Sequence, residues 1–185
     1  MGRGETVGGT GEDDASRWAL AARSGDPVAA AALVRATQAE VWRFCASLVD
    51  TAAADDLTQE TFLRAFKALP AFEGRSSVRT WLFGIARRAC ADHVRSAVRR
   101  RGLLRRAGAG ATEESAADPA EAVGATALLA RLRPAQREAF VLTQVLGLSY
   151  EEAAQALGVP IGTIRSRVAR ARVELVAAVK QAWSA

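Results

Sequence analysis

The sequence is poor in the residues from which metal sites and disulfide frameworks are built. It has two cysteines and one histidine in 185 residues. His93 has no neighbouring ligand with which to hold a metal ion. Cys45 and Cys90 lie far apart in apolar segments of helical pattern, so we expect two buried thiols rather than a disulfide or a metal pair. The composition therefore predicts no metal and no cofactor.

Long hydrophobic runs are also missing. No apolar stretch approaches the ~20 residues that a membrane-spanning helix needs, and the segment that begins at Met1 lacks the apolar core of a signal peptide. We therefore expect a cytoplasmic protein that does not bind a membrane. Aromatic residues make up 6% of the chain, and no segment alternates between apolar and polar residues as a strand does, so we expect an all-α fold.

Lysine is nearly absent, because only Lys67 and Lys180 among the 25 basic residues are lysine. The net charge is +5 and the sequence pI is about 10.2, which suggests an anionic partner. The basic residues are clustered. Residues 75–106 hold ten arginines and one acid, whereas residues 107–123 hold four acids and no basic residue. Clustering of this kind is typical of nucleic-acid binding.

The clearest motif lies between residues 149 and 172. Ser149 and Glu152 have the spacing of a capping box that starts a helix, and Gly158 can adopt the left-handed conformation that ends one. Pro160 stands at or just before the first position of a second helix, where its missing N–H costs nothing. Together these residues predict a helix-turn-helix.

The second helix of this motif has an apolar face and a basic face. Four arginines and no acid lie between residues 160 and 172, which suits a DNA major groove, where arginine can bind guanine through two hydrogen bonds. An exposed helix of an ordinary bundle is the alternative, but it does not explain why capping box, corner and charge asymmetry coincide. Helical spacing predicts an inward face of Ile164, Val168, Ala171 and Leu175.

The first half of the chain reads as a series of helices after a polar tail, residues 1–12, that we expect to be disordered. A short helix is predicted over 14–22, and Asp26 and Pro27 begin the next one. Acids over 50–56 suggest a break before a third helix. The apolar stripe of that helix is Leu57, Thr61, Phe62, Ala65 and Leu69. Its other side carries Asp55, Asp56, Gln59, Glu60 and Arg64, a face that could be solvated or could bind a partner.

A long helix is predicted from Val78 to about Arg99, capped by Ser76 or Ser77. Arginines alternate along it with Trp81 and Phe83, a mixture that suits single-stranded nucleic acid. Both aromatic residues could instead belong to the core. Periodicity is then lost, which predicts a linker over 99–122. The predicted fold is all-α, with two small helical domains joined by a flexible linker and a helix-turn-helix ending the second.

Three segments carry a further signal when they are taken together. They are Asp55-Asp-Leu-Thr-Gln-Glu-Thr-Phe-Leu-Arg-Ala65, Phe72-Glu-Gly-Arg-Ser-Ser-Val-Arg-Thr-Trp-Leu-Phe-Gly-Ile-Ala86 and Gly147-Leu-Ser-Tyr-Glu-Glu-Ala, continuing to Arg172. Together they resemble the sigma-70 family of bacterial transcription initiation factors, in particular its small extracytoplasmic-function (ECF) class, and the resemblance covers roughly residues 14–180. Four further segments are most similar to the sigma C group of that class: Val41-Trp-Arg-Phe44, Ala91-Asp-His93, Leu142-Thr-Gln144 and Gly162 to Arg172.

The resemblance implies a domain organisation and a set of site residues. Sigma region 2 would occupy residues 13–98 and region 4 residues 123–182, on either side of the linker. Arg88 stands where many relatives carry an asparagine, so the preferred base is not implied. Core RNA polymerase would bind Asp55, Asp56, Gln59, Glu60, Phe62 and Arg64. The minus 10 element would bind Arg75, Ser76, Ser77, Arg79, Trp81, Phe83, Arg87 and Arg88. The minus 35 element would bind Thr163, Arg165, Ser166, Arg167, Ala169, Arg170 and Arg172.

The function implied is that of an alternative sigma factor. Such a protein binds core RNA polymerase, directs it to promoter DNA and assists melting, binding DNA in duplex and single-stranded form. Regulation by an anti-sigma factor is a further expectation from the resemblance. We find no catalytic constellation and expect no enzyme. Two rival hypotheses remain. A dimeric helix-turn-helix regulator would leave the first domain unexplained. A nucleic-acid-modifying enzyme would need a cluster of catalytic residues, and the sequence offers no candidate for one.

Overall fold

The structure, a computed structural model, describes residues 9–106 and 125–183, and within these ranges it contains helices and turns but no strand. Short turns of 3-10 and π helix lie at Leu69–Ala71 and Val141–Val145. The all-α prediction is therefore confirmed, as is the helix-turn-helix in the second half. The helices are α1 (Gly9–Arg23), α2 (Pro27–Leu48), α3 (Thr51–Ala68), α4 (Val78–Arg106), α5 (Ala125–Ala130), α6 (Pro134–Phe140), α7 (Tyr150–Leu157) and α8 (Ile161–Trp183).

Single aspartates start two of the helices. Asp26 accepts a hydrogen bond from the backbone N–H of Val28 at 2.8 Å and caps α2, as predicted. Asp50 accepts from the N–H of Ala53 at 2.7 Å and caps α3. The predicted break over 50–56 is therefore wrong in its extent. One cap satisfies the helix start, and the alanines that follow are strong helix formers, so Asp55 and Asp56 lie inside α3.

Two other helices are longer than predicted. Helix α1 begins at Gly9, so residues 9–12 of the predicted disordered tail are helical, and the rest of that tail lies outside the described residues. Helix α4 ends at Arg106 rather than near Arg99. Arginine and leucine favour a helix, and Gly102 alone costs only about 1 kcal/mol. Residues 107–122 of the predicted linker lie outside the described residues.

The core of the first half lies where α2, α3 and α4 meet. Phe44 and Phe83 are fully buried there, with ring centroids 5.4 Å apart and an edge-to-face orientation. Cys45 and Cys90 are both buried and not disulfide-bonded. The hydrogen bond with Cys45, together with burial, raises the pKa of the Cys90 thiol. Both cysteines are therefore buried thiols without a disulfide, as predicted.

The second half packs α6, α7 and α8 around Leu142, Leu157, Ile164 and Val168, all buried. The two halves are in contact, because their buried apolar residues form one continuous cluster. Helix α4 packs against α7 at Gly84, where a Cβ atom would lie 3.4 Å from the carbonyl oxygen of Ala156. None of the described helices is both long enough and apolar enough to cross a membrane.

Candidate nucleic-acid and polymerase interfaces

The helix-turn-helix is held by the local interactions that the sequence predicts. The Ser149 hydroxyl accepts from the N–H of Glu152 at 3.1 Å, and the Glu152 carboxylate accepts from the N–H of Ser149 at 2.8 Å. Gly158 ends α7 with a φ of 64°, a left-handed conformation that strains any residue with a side chain. Helix α8 then begins at Ile161, directly after Pro160.

Helix α8 presents its predicted DNA-binding face to solvent. Ile164, Val168 and Ala171 are buried and Leu175 is half-buried, so the predicted inward face is confirmed. Arg172 donates to the side-chain oxygen of Gln144 at 2.6 Å. Of the residues predicted to contact the minus 35 element, Thr163 and Arg167 are half-buried, and the exposed ones are Arg165, Ser166, Ala169, Arg170 and Arg172.

The residues predicted to contact the minus 10 element lie along the start of α4 and the loop before it. The Ser77 hydroxyl accepts from the N–H of Thr80 at 3.2 Å, so Ser77 rather than Ser76 caps the helix. Phe83 is only 1% exposed and lies in the core because its ring packs on Phe44. Arg75 and Arg88 are exposed, and the half-buried members of the set are Ser76, Ser77, Arg79, Trp81 and Arg87.

The second half of the chain covers part of this predicted minus 10 surface. Arg79 binds both carboxylate oxygens of Glu40, at 2.6 and 3.0 Å, and also donates to the backbone oxygen of Leu146 at 2.6 Å. Arg87 pairs with Glu138 at 3.1 Å. Glu138 belongs to α6, so this ion pair joins the two halves. The second half therefore partly covers Arg79 and Arg87, both of which are half-buried.

The exposed side of α3 carries a network of charges. Asp55 accepts from the indole N–H of Trp42 at 2.8 Å. Arg64 binds Glu60 and Asp92, each at 2.7 Å. Its guanidinium, followed by that of Arg95, lowers the pKa of Asp92, so this carboxylate stays ionised at neutral pH. Of the residues predicted to bind polymerase, Phe62 is buried, Glu60 and Arg64 are half-buried, and Asp55, Asp56 and Gln59 are exposed.

A groove of about 330 Å³ runs between α2 and α3 beside this network. Leu63, which is 57% exposed, forms part of its wall. Sequence periodicity missed this groove, because its walls come from two helices and each helix alone shows only isolated exposed apolar residues. The residues that line it are Val34, Gln38, Thr58, Gln59, Phe62, Leu63 and Phe66.

The described residues contain no group of three or more histidine, cysteine or acidic side chains that could hold a metal ion. Arginines dominate the exposed faces of α4 and α8, and acids together with an apolar groove mark α3.

Comparison with known families agrees with this arrangement. Residues 33–100 match the family model of sigma-70 region 2, and residues 125–175 match that of sigma-70 region 4. The first match spans α3 and most of α4, and the second spans the helix-turn-helix. The chain belongs to the sigma-70 family. It is an ECF-class alternative sigma factor, which directs RNA polymerase to promoters and initiates transcription.

Two mycobacterial proteins are similar over almost the whole chain. The probable RNA polymerase sigma-C factor of Mycobacterium bovis and the ECF RNA polymerase sigma factor SigC of Mycobacterium tuberculosis are each 51% identical to it over 177 residues. Each alignment covers 91% of this chain and 94% of the relative. The predicted similarity to the sigma C group is confirmed. Sigma factors are initiation factors and not enzymes.

Solved structures share the fold. One is CnrH in complex with the cytosolic domain of CnrY, with a TM-score of 0.71 and 28% identity, covering 91% of this chain and 99% of that one. Another is RpoE of Bartonella quintana in complex with the anti-sigma factor NepR, with a TM-score of 0.63 and 35% identity, covering 80% of this chain and 94% of that one.

Proposed function

We propose that this sigma factor works in the cytoplasm, divides its contacts among three surfaces, and carries out no covalent chemistry itself. The α3 face binds core RNA polymerase, the loop and helix from Arg75 to Arg88 bind the minus 10 element, and α8 binds the minus 35 element. The two DNA-binding surfaces lie in residues 13–98 and 123–182, joined by the linker. The observation that carries this proposal is the exposed arginine face of α8, together with the basic surface of α4 in the other half.

Promoter melting needs only binding energy that is larger for the open strands than for the duplex. Arginines beside aromatic residues can provide it, because the backbone follows positive charge and unstacked bases stack on aromatic rings. Trp81 is the aromatic residue best placed for this, since it is half-buried and packs on Phe72 with ring centroids 4.9 Å apart. Phe83 supports this surface from beneath, as part of the core.

Polymerase docking combines the acidic α3 face with the neighbouring groove. Asp55, Asp56 and Gln59 provide exposed polar contacts, and Leu63 provides an exposed apolar one. Interfaces of this type depend on a few apolar or aromatic anchors with polar groups around them. The groove therefore receives an apolar side chain of polymerase.

Replacing Leu63 with alanine tests this docking surface. We expect binding to core polymerase to weaken about tenfold, because an apolar contact at the centre of an interface contributes about 1 kcal/mol or more. Leu20 is 48% exposed on α1 and outside the groove, so Leu20→Ala is the matched control and should bind normally. Fluorescence anisotropy of the labelled protein against core polymerase measures both. Equal affinity for the two variants would contradict the docking surface.

The free protein takes a closed form in which the second half covers Arg79 and Arg87, and polymerase binding separates the halves. A binding-competent form that is only partly populated weakens the apparent affinity by its population. Free protein therefore binds minus 10 DNA weakly. The CnrH and RpoE structures contain bound partners, so we also propose that an anti-sigma factor holds this protein inactive by binding across both halves.

Reversing one charge between the halves should release the closed form. Glu138→Lys replaces the Arg87–Glu138 attraction with repulsion, so the open population and the affinity for single-stranded minus 10 DNA should rise about tenfold. Glu151→Lys makes the same charge change at an exposed position of α7 and should change affinity less than about twofold. Titration of the free variants with a labelled oligonucleotide compares them. Equal gains in both variants would show a general charge effect and contradict the closed form.

A further inference from the structure

The last part of α4 forms a basic segment outside the core. Residues 94–104, here called the arginine arm, contain four arginines and no acid. Every residue of the arm except Ala97 is exposed. No residue of the arm belongs to the buried apolar cluster of the described residues. A solvated helix face normally mixes charges of both signs. The composition of the arm is therefore that of a surface for a polyanion.

The arginines of the arm do not all lie on one face. At 100° per residue, Arg95 and Arg99 fall within about 40° of Arg88, whereas Arg100 and Arg101 fall about 100° or more from them. Arg88 is exposed and belongs to the proposed minus 10 surface. The stripe of Arg88, Arg95 and Arg99 therefore continues that surface along α4.

One acid, Asp92, lies close to this stripe, and it is already neutralised. Arg64 binds one of its oxygens at 2.7 Å and Arg95 binds the other at 2.5 Å. Among the described residues, no carboxylate lies within ion-pair distance of Arg88 or Arg99. Arg88 and Arg99 therefore keep positive charge that can meet phosphate, whereas Arg95 shares its charge with Asp92.

The length of the arm indicates which phosphates it can reach. From Arg88 to Leu104 the helix rises about 24 Å, which equals about seven base pairs of duplex. Along the chain the arm is followed by the linker and then by the half that is proposed to bind the minus 35 element. We propose that Arg95 and Arg99 bind the phosphate backbone of the duplex between the two promoter elements. This proposal rests on the proposed function.

Two variants of equal charge test the stripe. Arg95→Gln/Arg99→Gln removes the two stripe arginines that lie in the arm, and Arg100→Gln/Arg101→Gln removes the same charge from other faces of the same segment. The affinity of holoenzyme for promoter DNA is measured against salt. Each lost phosphate contact makes the slope of log K against log salt shallower by about 0.9, so the stripe variant should be shallower by about 1 to 2, and the control by less than about 0.5.

A second DNA locates the contact. The second DNA carries the minus 10 element but lacks the duplex upstream of it. Holoenzymes with the wild-type protein and with the stripe variant should bind this fragment equally. A difference that persists there would place the arm on single strands and overturn the proposal. Equal slope changes in both variants, or no change in either, would also overturn it. Transcripts started by the wild-type holoenzyme test the proposed function separately, because they do not depend on the stripe.

Discussion

Replacing Phe83 with alanine is expected to lower the free energy of unfolding by about 3–5 kcal/mol. The side chain is 1% exposed and packs edge-to-face on Phe44, so its removal leaves a cavity and a ring without its partner. Urea denaturation followed by circular dichroism measures the loss. Phe72→Ala is a useful comparison, because it removes a phenylalanine that is also buried but packs on Trp81, with the two rings tilted by 44°.

Phe83→Leu separates a role in the core from a role in DNA binding. Leucine keeps most of the apolar volume, so this variant should fold with a smaller loss of stability than the alanine variant. If Phe83 belongs only to the core, holoenzyme with the leucine variant should open promoters at the wild-type level. A stable leucine variant that forms holoenzyme but fails to open promoters would show that the ring touches DNA.

Replacing Arg170 with alanine is the second large effect. If Arg170 binds a base through two hydrogen bonds, its loss should cost about 1–3 kcal/mol of promoter binding and relax base preference in the minus 35 element. Arg172→Ala is the matched control on the same helix, because the resemblance to the sigma-70 family implies that Arg172 lies nearer phosphate than Arg170 does. That variant should weaken binding on all sequences alike. Competition binding against a set of minus 35 variants distinguishes the two patterns. A uniform loss with Arg170→Ala would assign Arg170 to phosphate.

The features of the fold that could be predicted depend on residues that are close together in the sequence. The capping box of Ser149 and Glu152, the left-handed Gly158 and the cap at Asp26 each act within a few positions. The inward face of α8 follows from helical spacing alone. Resemblance to a family then suggested what spacing could not, which is the proposed role of the α3 face in binding polymerase.

Contacts between residues distant in the chain could not be predicted. Arg79 binds Glu40, 39 positions earlier, and the backbone oxygen of Leu146, 67 positions later. No periodicity indicates such partners. The sequence around Phe83 is compatible with a ring that faces DNA and with a ring that packs on Phe44. Only the packing of α2 against α4 shows that the ring lies in the core. The length of α4 was also missed, because Gly102 weakens a helix without ending it.

Transcription in vitro tests the central claim most directly. Core RNA polymerase is incubated with fragmented DNA of the source genome, with and without this protein, and the 5′ ends of the transcripts are mapped. We predict discrete new start sites that share two spaced upstream elements and that appear only when the protein is present. No new start sites, together with tight and sequence-specific binding of the free protein to duplex DNA, would contradict the account and favour a dimeric helix-turn-helix regulator.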